Sequence, residues 1–253
     1  MEPSRFRRIT VEEGAAGSAL FKRYPFALPV NEAPQTAYYR DGKRDLHIAG
    51  KNGSALHLCA SLSDEYICCN VHVLRSMSNC PFDCSYCFLQ NYLNNGTTMV
   101  VSDIEALVGE VREKISLNPH RFLRIGTWEL ADSLALEDRL GTAGALVEAF
   151  SGIDGAVLEL KTKSDNVDSI LDLGHKGRTV ISWSMNPEAV IKAEEHGTAS
   201  LERRLAAMHK AAGAGYPVGI HFDPLIYYQG WQEDYGNLVR RIFETVSPDI
   251  VPW

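Results

Sequence analysis

Apolar positions along the chain follow two alternating rhythms from Asn70 onward. Short runs of strand character alternate with stretches whose apolar residues return every three or four positions, the spacing of a helix face. Val71, Val73 and Leu74 predict a first strand. Residues 122–125, 156–160, 179–183 and 218–222 predict four more, and 249–251 begins a sixth. Between them Ile104, Leu107, Val108, Val111 and Ile115 share one helical face behind a capping-box pattern, Ser102-Asp103-Ile104-Glu105. Further helices are predicted over 142–150 and near 167–173. Another, capped by Thr198, carries Leu201, Leu205, Met208 and Ala212 on one face and stops at Gly213 and Gly215. A last one carries Tyr235, Leu238, Val239, Ile242, Phe243 and Val246. This alternation predicts an α/β fold of parallel units, with functional loops at the carboxyl ends of the strands.

Residues 1–69 read differently, as an N-terminal extension or small lobe. Pro25, Pro29 and Pro34 break helical continuity, and the stretch 46–69 suggests strands around an Asn52-Gly53 turn. Arg5, Arg7, Arg8, Lys22 and Arg23 form two short basic clusters, the pattern of a solvated face. The composition, 45% hydrophobic over 253 residues, supports a full core. With no long apolar run and no secretory pattern, a cytoplasmic protein without membrane contact is expected. A formal charge of −7 gives no electrostatic case for nucleic acid, although phosphate contacts need only a local basic patch.

The candidate chemistry begins where the first strand ends. Cys80, Cys84 and Cys87 stand in a C-x3-C-x2-C arrangement, and closely spaced thiolates suit a soft metal centre. Protein-bound iron–sulfur clusters ordinarily take four cysteines, so a [4Fe–4S] cluster held by three keeps one iron for a non-protein ligand. A structural zinc site is the competing reading, with Cys59, Cys68, Cys69 or His72 as fourth ligand. Without such a role, Cys59, Cys68 and Cys69 read as small buried residues.

The cysteine spacing, with Tyr86 just before the third cysteine, resembles the signature of the radical S-adenosylmethionine (SAM) superfamily. The resemblance implies a partial (β/α)6 barrel over residues 70–253, with a C-terminal end that reads as truncated because the sixth strand lacks its covering helix. It also implies SAM chelated by the open iron and a reductant such as flavodoxin or ferredoxin. One electron then splits the sulfonium to a 5′-deoxyadenosyl radical that abstracts hydrogen from substrate. Further stretches are similar to the spore photoproduct lyase family. They are the run from Cys84 to Gln90, Thr162-Lys163, Ser184-Met185-Asn186, Gly197 to Leu201 with Arg203, Ala214 to Pro217, and Tyr228 to Trp231. Those lyases reverse a thymine-dimer lesion of spore DNA by carbon–carbon bond cleavage, and a cysteine just after the second strand returns a hydrogen atom. By this resemblance Cys80, Cys84 and Cys87 are cluster ligands, and Lys163 and Ser184 are SAM contacts. The donor cysteine is replaced by Glu129, and a relay tyrosine after the third cluster cysteine is Phe88, while Tyr86 remains.

The strand ends supply the other candidates. Glu129, after the second strand, is placed to accept from the SAM amino group, and with Tyr86 it is the candidate catalytic residue. Lys163 suits the SAM carboxylate, and Ser182, Ser184 and Asn186 suit the ribose or carboxylate. His221 and Asp223 alternate on a strand and so face one side, which makes them a candidate proton-transfer pair beside Tyr228 where substrate is expected. Plainer readings stand next to these: a surface glutamate, a solvated lysine, turn chemistry before Pro187, a structural His–Asp pair. The function read is a radical SAM enzyme with an unassigned substrate, DNA among the candidates. One alternative is true thymine-dimer repair with Cys59, Cys68 or Cys69 as donor, and another is a zinc-binding or inactive interaction module.

Overall fold

The computed structural model describes residues 6–36, 39–59 and 70–253. Among them thirteen strands run in the order β1 (Arg8–Glu12), β2 (Leu28–Val30), β3 (Asp45–Ala49), β4 (Leu56–Leu58), β5 (His72–Leu74), β6 (Met77–Ser78), β7 (Asp83–Cys84), β8 (Thr98–Val101), β9 (Leu123–Gly126), β10 (Ala156–Thr162), β11 (Thr179–Ser184), β12 (Glu195–His196) and β13 (Val218–His221). The larger sheet has the order β13-β11-β10-β9-β5-β4, parallel except for the β4 edge. A second sheet, β2-β1-β3-β8-β6, joins strands from before residue 70 to two that follow it. No helix among the described residues is long and apolar enough to cross a membrane.

Strand alternation divides the larger sheet into two chemistries. Leu123, Ile125, Leu158, Leu160, Ile181, Trp183 and Val218 pack against the helices Ile104–Ser116, Thr142–Phe150, Leu201–Gly213 and Trp231–Thr245 in one apolar core. The opposite faces carry Arg124, Glu159, Ser182 and His221, which meet inside the curved sheet. Glu159 is fully buried there. It accepts two 2.8 Å bonds from Arg124, one of 2.7 Å from Ser182 and one of 3.1 Å from Trp253, and His221 Nε2 lies 2.7 Å away. Burial opposes its ionisation, but His221 and Arg124 hold it well below the usual carboxylate range.

Several sequence expectations are corrected locally. The strands flanking Asn52-Gly53 exist, yet β3 lies in the second sheet and β4 pairs with β5, so they form no hairpin. The helix Ile104–Ser116 is capped by Asp103, which accepts from Ala106 N at 2.9 Å, whereas Ser102 donates to Ala49 O across to β3. Ser200, not Thr198, caps Leu201–Gly213. The segment 167–173 forms successive turns in place of a helix. Residues 249–251 form no sixth strand. A 3-10 turn, Pro248–Ile250, leads to Trp253, whose carbonyl accepts from Ile220 N at 3.1 Å along the edge of β13.

Candidate active site

The cysteine loop is held from two sides. β7 pairs antiparallel with β12, placing Cys84 opposite Glu195, and Ser85 N donates to Glu194 O at 2.9 Å. On the other side Lys43 reaches Phe82 O and Asp83, and the Tyr39 hydroxyl lies 3.7 Å from Cys87 Sγ. At the start of the loop Asn79 adopts a left-handed conformation, φ 70°, and its Oδ1 accepts from Cys80 N at 2.8 Å.

Cys80, Cys84 and Cys87 line one cavity of about 350 Å³, partly open to solvent, at the carboxyl ends of β9, β10, β11 and β13. Tyr86, Glu129, Lys163, Ser184 and Asp223 line the same cavity, so the structure brings together eight residues singled out from the sequence. Burial pushes the Cys80 thiol up, and the Asp132 carboxylate adds to the effect. Burial also raises Cys84 to about 11, outweighing the neighbouring Lys163 ammonium.

Asn186, His221 and Tyr228 are not among the lining residues. Asn186 is fully buried below the cavity, donating to Glu195 at 2.8 Å and accepting from the Tyr235 hydroxyl. His221 and Asp223 do not pair: His221 faces Glu159, and Asp223 accepts from Lys161 at 2.7 Å. The Tyr228 hydroxyl donates to Asp234 at 2.8 Å. Glu129 approaches Arg75 at 3.4 Å. His72 lies on β5 near Lys114 and Arg121, away from the cavity wall, and Cys59 is also not among the lining residues. Cys68 and Cys69 fall outside the described residues.

Sequence reading missed five residues that shape the site. Asp132 accepts from Thr162 Oγ1, Lys163 N, Leu134 N and Ala135 N, fixing the loops after β9 and β10 to one another. Beneath Tyr86 lies the pair Glu195 and Arg204, both completely buried. Glu195 takes the Tyr86 hydroxyl as well as Arg204 and Asn186. Arg204 also donates to Ala199 O, Ser184 O and Thr198 Oγ1. Trp128 and Lys161 complete the wall, with the Lys161 ammonium 4.1 Å from the indole centroid. Period-two alternation on β10 was the available signal, since Lys161 follows Glu159 and precedes Lys163 on one face.

Among the described residues no group of three His, Cys, Asp or Glu side chains is placed to hold a single metal ion. Three thiols lining one cavity are the donor type that a [4Fe–4S] cluster takes.

A family model described as spore photoproduct lyase matches residues 36–251. Spore photoproduct lyase of Bacillus subtilis (strain 168) is 28% identical over 174 residues, 68% of this chain and 51% of the relative. That of Geobacillus sp. (strain Y412MC61) is 28% identical over 209 residues, 82% of this chain and 59% of the relative. The chain therefore spans between half and three-fifths of these relatives. A solved spore photoproduct lyase complexed with dinucleoside spore photoproduct superposes with a TM-score of 0.85 at 22% identity, covering 98% of this chain and 76% of the other. A variant of that enzyme with bound AdoMet and dinucleoside spore photoproduct gives the same TM-score and coverage. Identity at that level establishes a shared fold.

Proposed function

The chain belongs to the spore photoproduct lyase family, and from that premise we propose that its cavity is a radical SAM site. The observation that carries the reading is that Cys80, Cys84 and Cys87 line the same cavity as Lys163, Ser184 and Glu129. When bound, a three-cysteine [4Fe–4S] cluster with SAM supplies a 5′-deoxyadenosyl radical for hydrogen abstraction. Lys163 offers its ammonium to the SAM carboxylate, Glu129 accepts from its amino group, and Ser184 serves the ribose or carboxylate. Tyr86 presents its ring to the cavity while its hydroxyl proton is held at Glu195 Oε1. Asp132 sets the backbone of Lys163 and so aims that side chain. The electron comes from a cytoplasmic reductant such as flavodoxin or ferredoxin.

The relatives' action on the spore photoproduct supports a dinucleoside-type substrate here. Among the described residues, the thiols that line the cavity are the three cluster cysteines themselves. Glu129 carries no hydrogen that a carbon radical readily abstracts, which favours a substrate or a radical-ending step different from that of the relatives.

Anaerobic reconstitution with iron and sulfide, followed by metal analysis, tests the site. The wild-type chain is expected to take about four irons and four sulfides, and Cys84→Ala to lose most of both. Stoichiometric zinc that iron and sulfide do not replace would overturn the reading.

A further inference from the structure

Trp128, Lys161 and Asp223 make an assembly on the cavity wall for which cluster and SAM binding give no use. The Trp128 indole donates to the buried Glu159 at 3.2 Å. It sits on bare backbone, since a Cβ added to Gly126 would come within 2.3 Å of its nitrogen. Lys161 lies over that ring at 4.1 Å and donates to Asp223 Oδ2 at 2.7 Å. Its side chain is 11% exposed and that of Asp223 is 64% exposed, so the ammonium is held from behind and the carboxylate is presented to the cavity. Asp223 Oδ1 has no hydrogen-bond partner among the described residues, and an ammonium has three N–H donors, of which Asp223 takes one.

We propose that Lys161 and Asp223, propped by Trp128, are the specificity-determining pair of this cavity, reading a hydrogen-bond donor and an acceptor carried side by side on a planar, uncharged ligand edge. The inference rests on the cavity being the radical site. A lactam or primary amide is the matching chemistry: its N–H donates to Asp223 Oδ1 and its carbonyl accepts from Lys161. The pair is neutral as a unit, so an anion meets Asp223 and a cation meets Lys161, and neither gains. Phe82 and Phe88 line the same cavity and offer apolar faces to a flat group. With its carboxylate 64% exposed, such a pair contributes little to stability. Propping it on a positioned indole is therefore better explained by recognition than by folding.

The test is an NMR titration of the reconstituted chain with thymidine, which carries a lactam edge, with N3-methylthymidine, which lacks the donor, and with ribose, which offers a vicinal diol. Thymidine is expected to bind, and N3-methylation, Lys161→Met and Asp223→Asn are each expected to weaken it about tenfold. The exchanged double variant Lys161→Asp/Asp223→Lys keeps the charges adjacent but reverses donor and acceptor. It is expected to melt near the wild-type temperature and still bind weakly. Equal binding of the methylated nucleoside, competition by ribose, full binding by the exchanged variant, or no binding of thymidine to the wild type would each overturn the proposal. Formation of 5′-deoxyadenosine by the wild type in the same preparation reports separately on the radical site, so the two failures are distinguishable.

Discussion

At the residue scale, the buried pair Glu195 and Arg204 differs in kind from the ion pairs on the surface. Both side chains are wholly excluded from water, and besides each other they engage Tyr86 of the cysteine loop, Ser184, Asn186 and the turn at Thr198 and Ala199. Replacing Glu195 by Leu would leave the Arg204 charge buried and uncompensated, and is expected to destabilise the fold by about 3–5 kcal/mol in denaturant unfolding. Replacing Lys192, the exposed partner of Glu188 in an i,i+4 pair, is expected to cost under about 0.5 kcal/mol. Glu195 was illegible in the sequence because Glu194 beside it is chemically identical; the pairing of β12 with β7, which sets Glu195 opposite Cys84, 111 residues away in the chain, decides which of the two is buried. A second residue carries a pH signature. Burial pushes Glu110 up, but Lys51 and the backbone N–H groups of Ala55 and Leu56 together hold it down at about 2. Its folded pKa is thus below the unfolded value near 4.5, so its stabilisation is complete above that pH and is lost as pH falls toward 2. Unfolding experiments from pH 6 to pH 2.5 are expected to show Glu110→Gln losing less stability on acidification than the wild type.

At the element scale, hydrophobic periodicity located the helices well and their ends less well. Leu107, Val108 and Val111 are buried as their spacing required. The cap moved by one residue because Ser102 is drawn to Ala49 O on the neighbouring sheet, leaving Asp103 to satisfy the helix. The same competition took Thr198, whose hydroxyl serves Glu195 O and Arg204 while Ser200 caps. Asp103→Ala and Ser200→Ala are each expected to cost about 1 kcal/mol in urea unfolding. The helix expected near 167–173 fails for a related reason. Val167 and Ile170 are buried as an apolar pattern would have them, but the Thr162 and Ser164 side chains turn the chain by accepting from Ser164 N and Asn166 N, and only i→i+2 and i→i+3 contacts follow.

At the scale of the whole molecule, the sequence made the parallel β/α order legible because each unit carries its own local pattern. The second sheet was hidden because β8 joins β3 across more than fifty residues, and no local pattern specifies a partner at that distance. The interior network was hidden for the same reason: Arg124, Glu159, Ser182 and His221 come from four strands, and each alone reads as a strand-end polar residue. Gly219 is what leaves room for that network beside Trp253, since a Cβ there would come within 2.1 Å of Ser182 Oγ and 2.7 Å of the Trp253 indole nitrogen. Gly219→Ala is expected to cost about 1–3 kcal/mol, read by thermal unfolding. Under this buried layer and over the cysteine loop lies one cavity, and the central claim is that it splits SAM. The most direct measurement adds dithionite and SAM to the anaerobically reconstituted chain and quantifies 5′-deoxyadenosine, with Cys84→Ala alongside. Product from the wild type and none from the variant is the expected result; a fully loaded wild-type chain that forms none would contradict the claim.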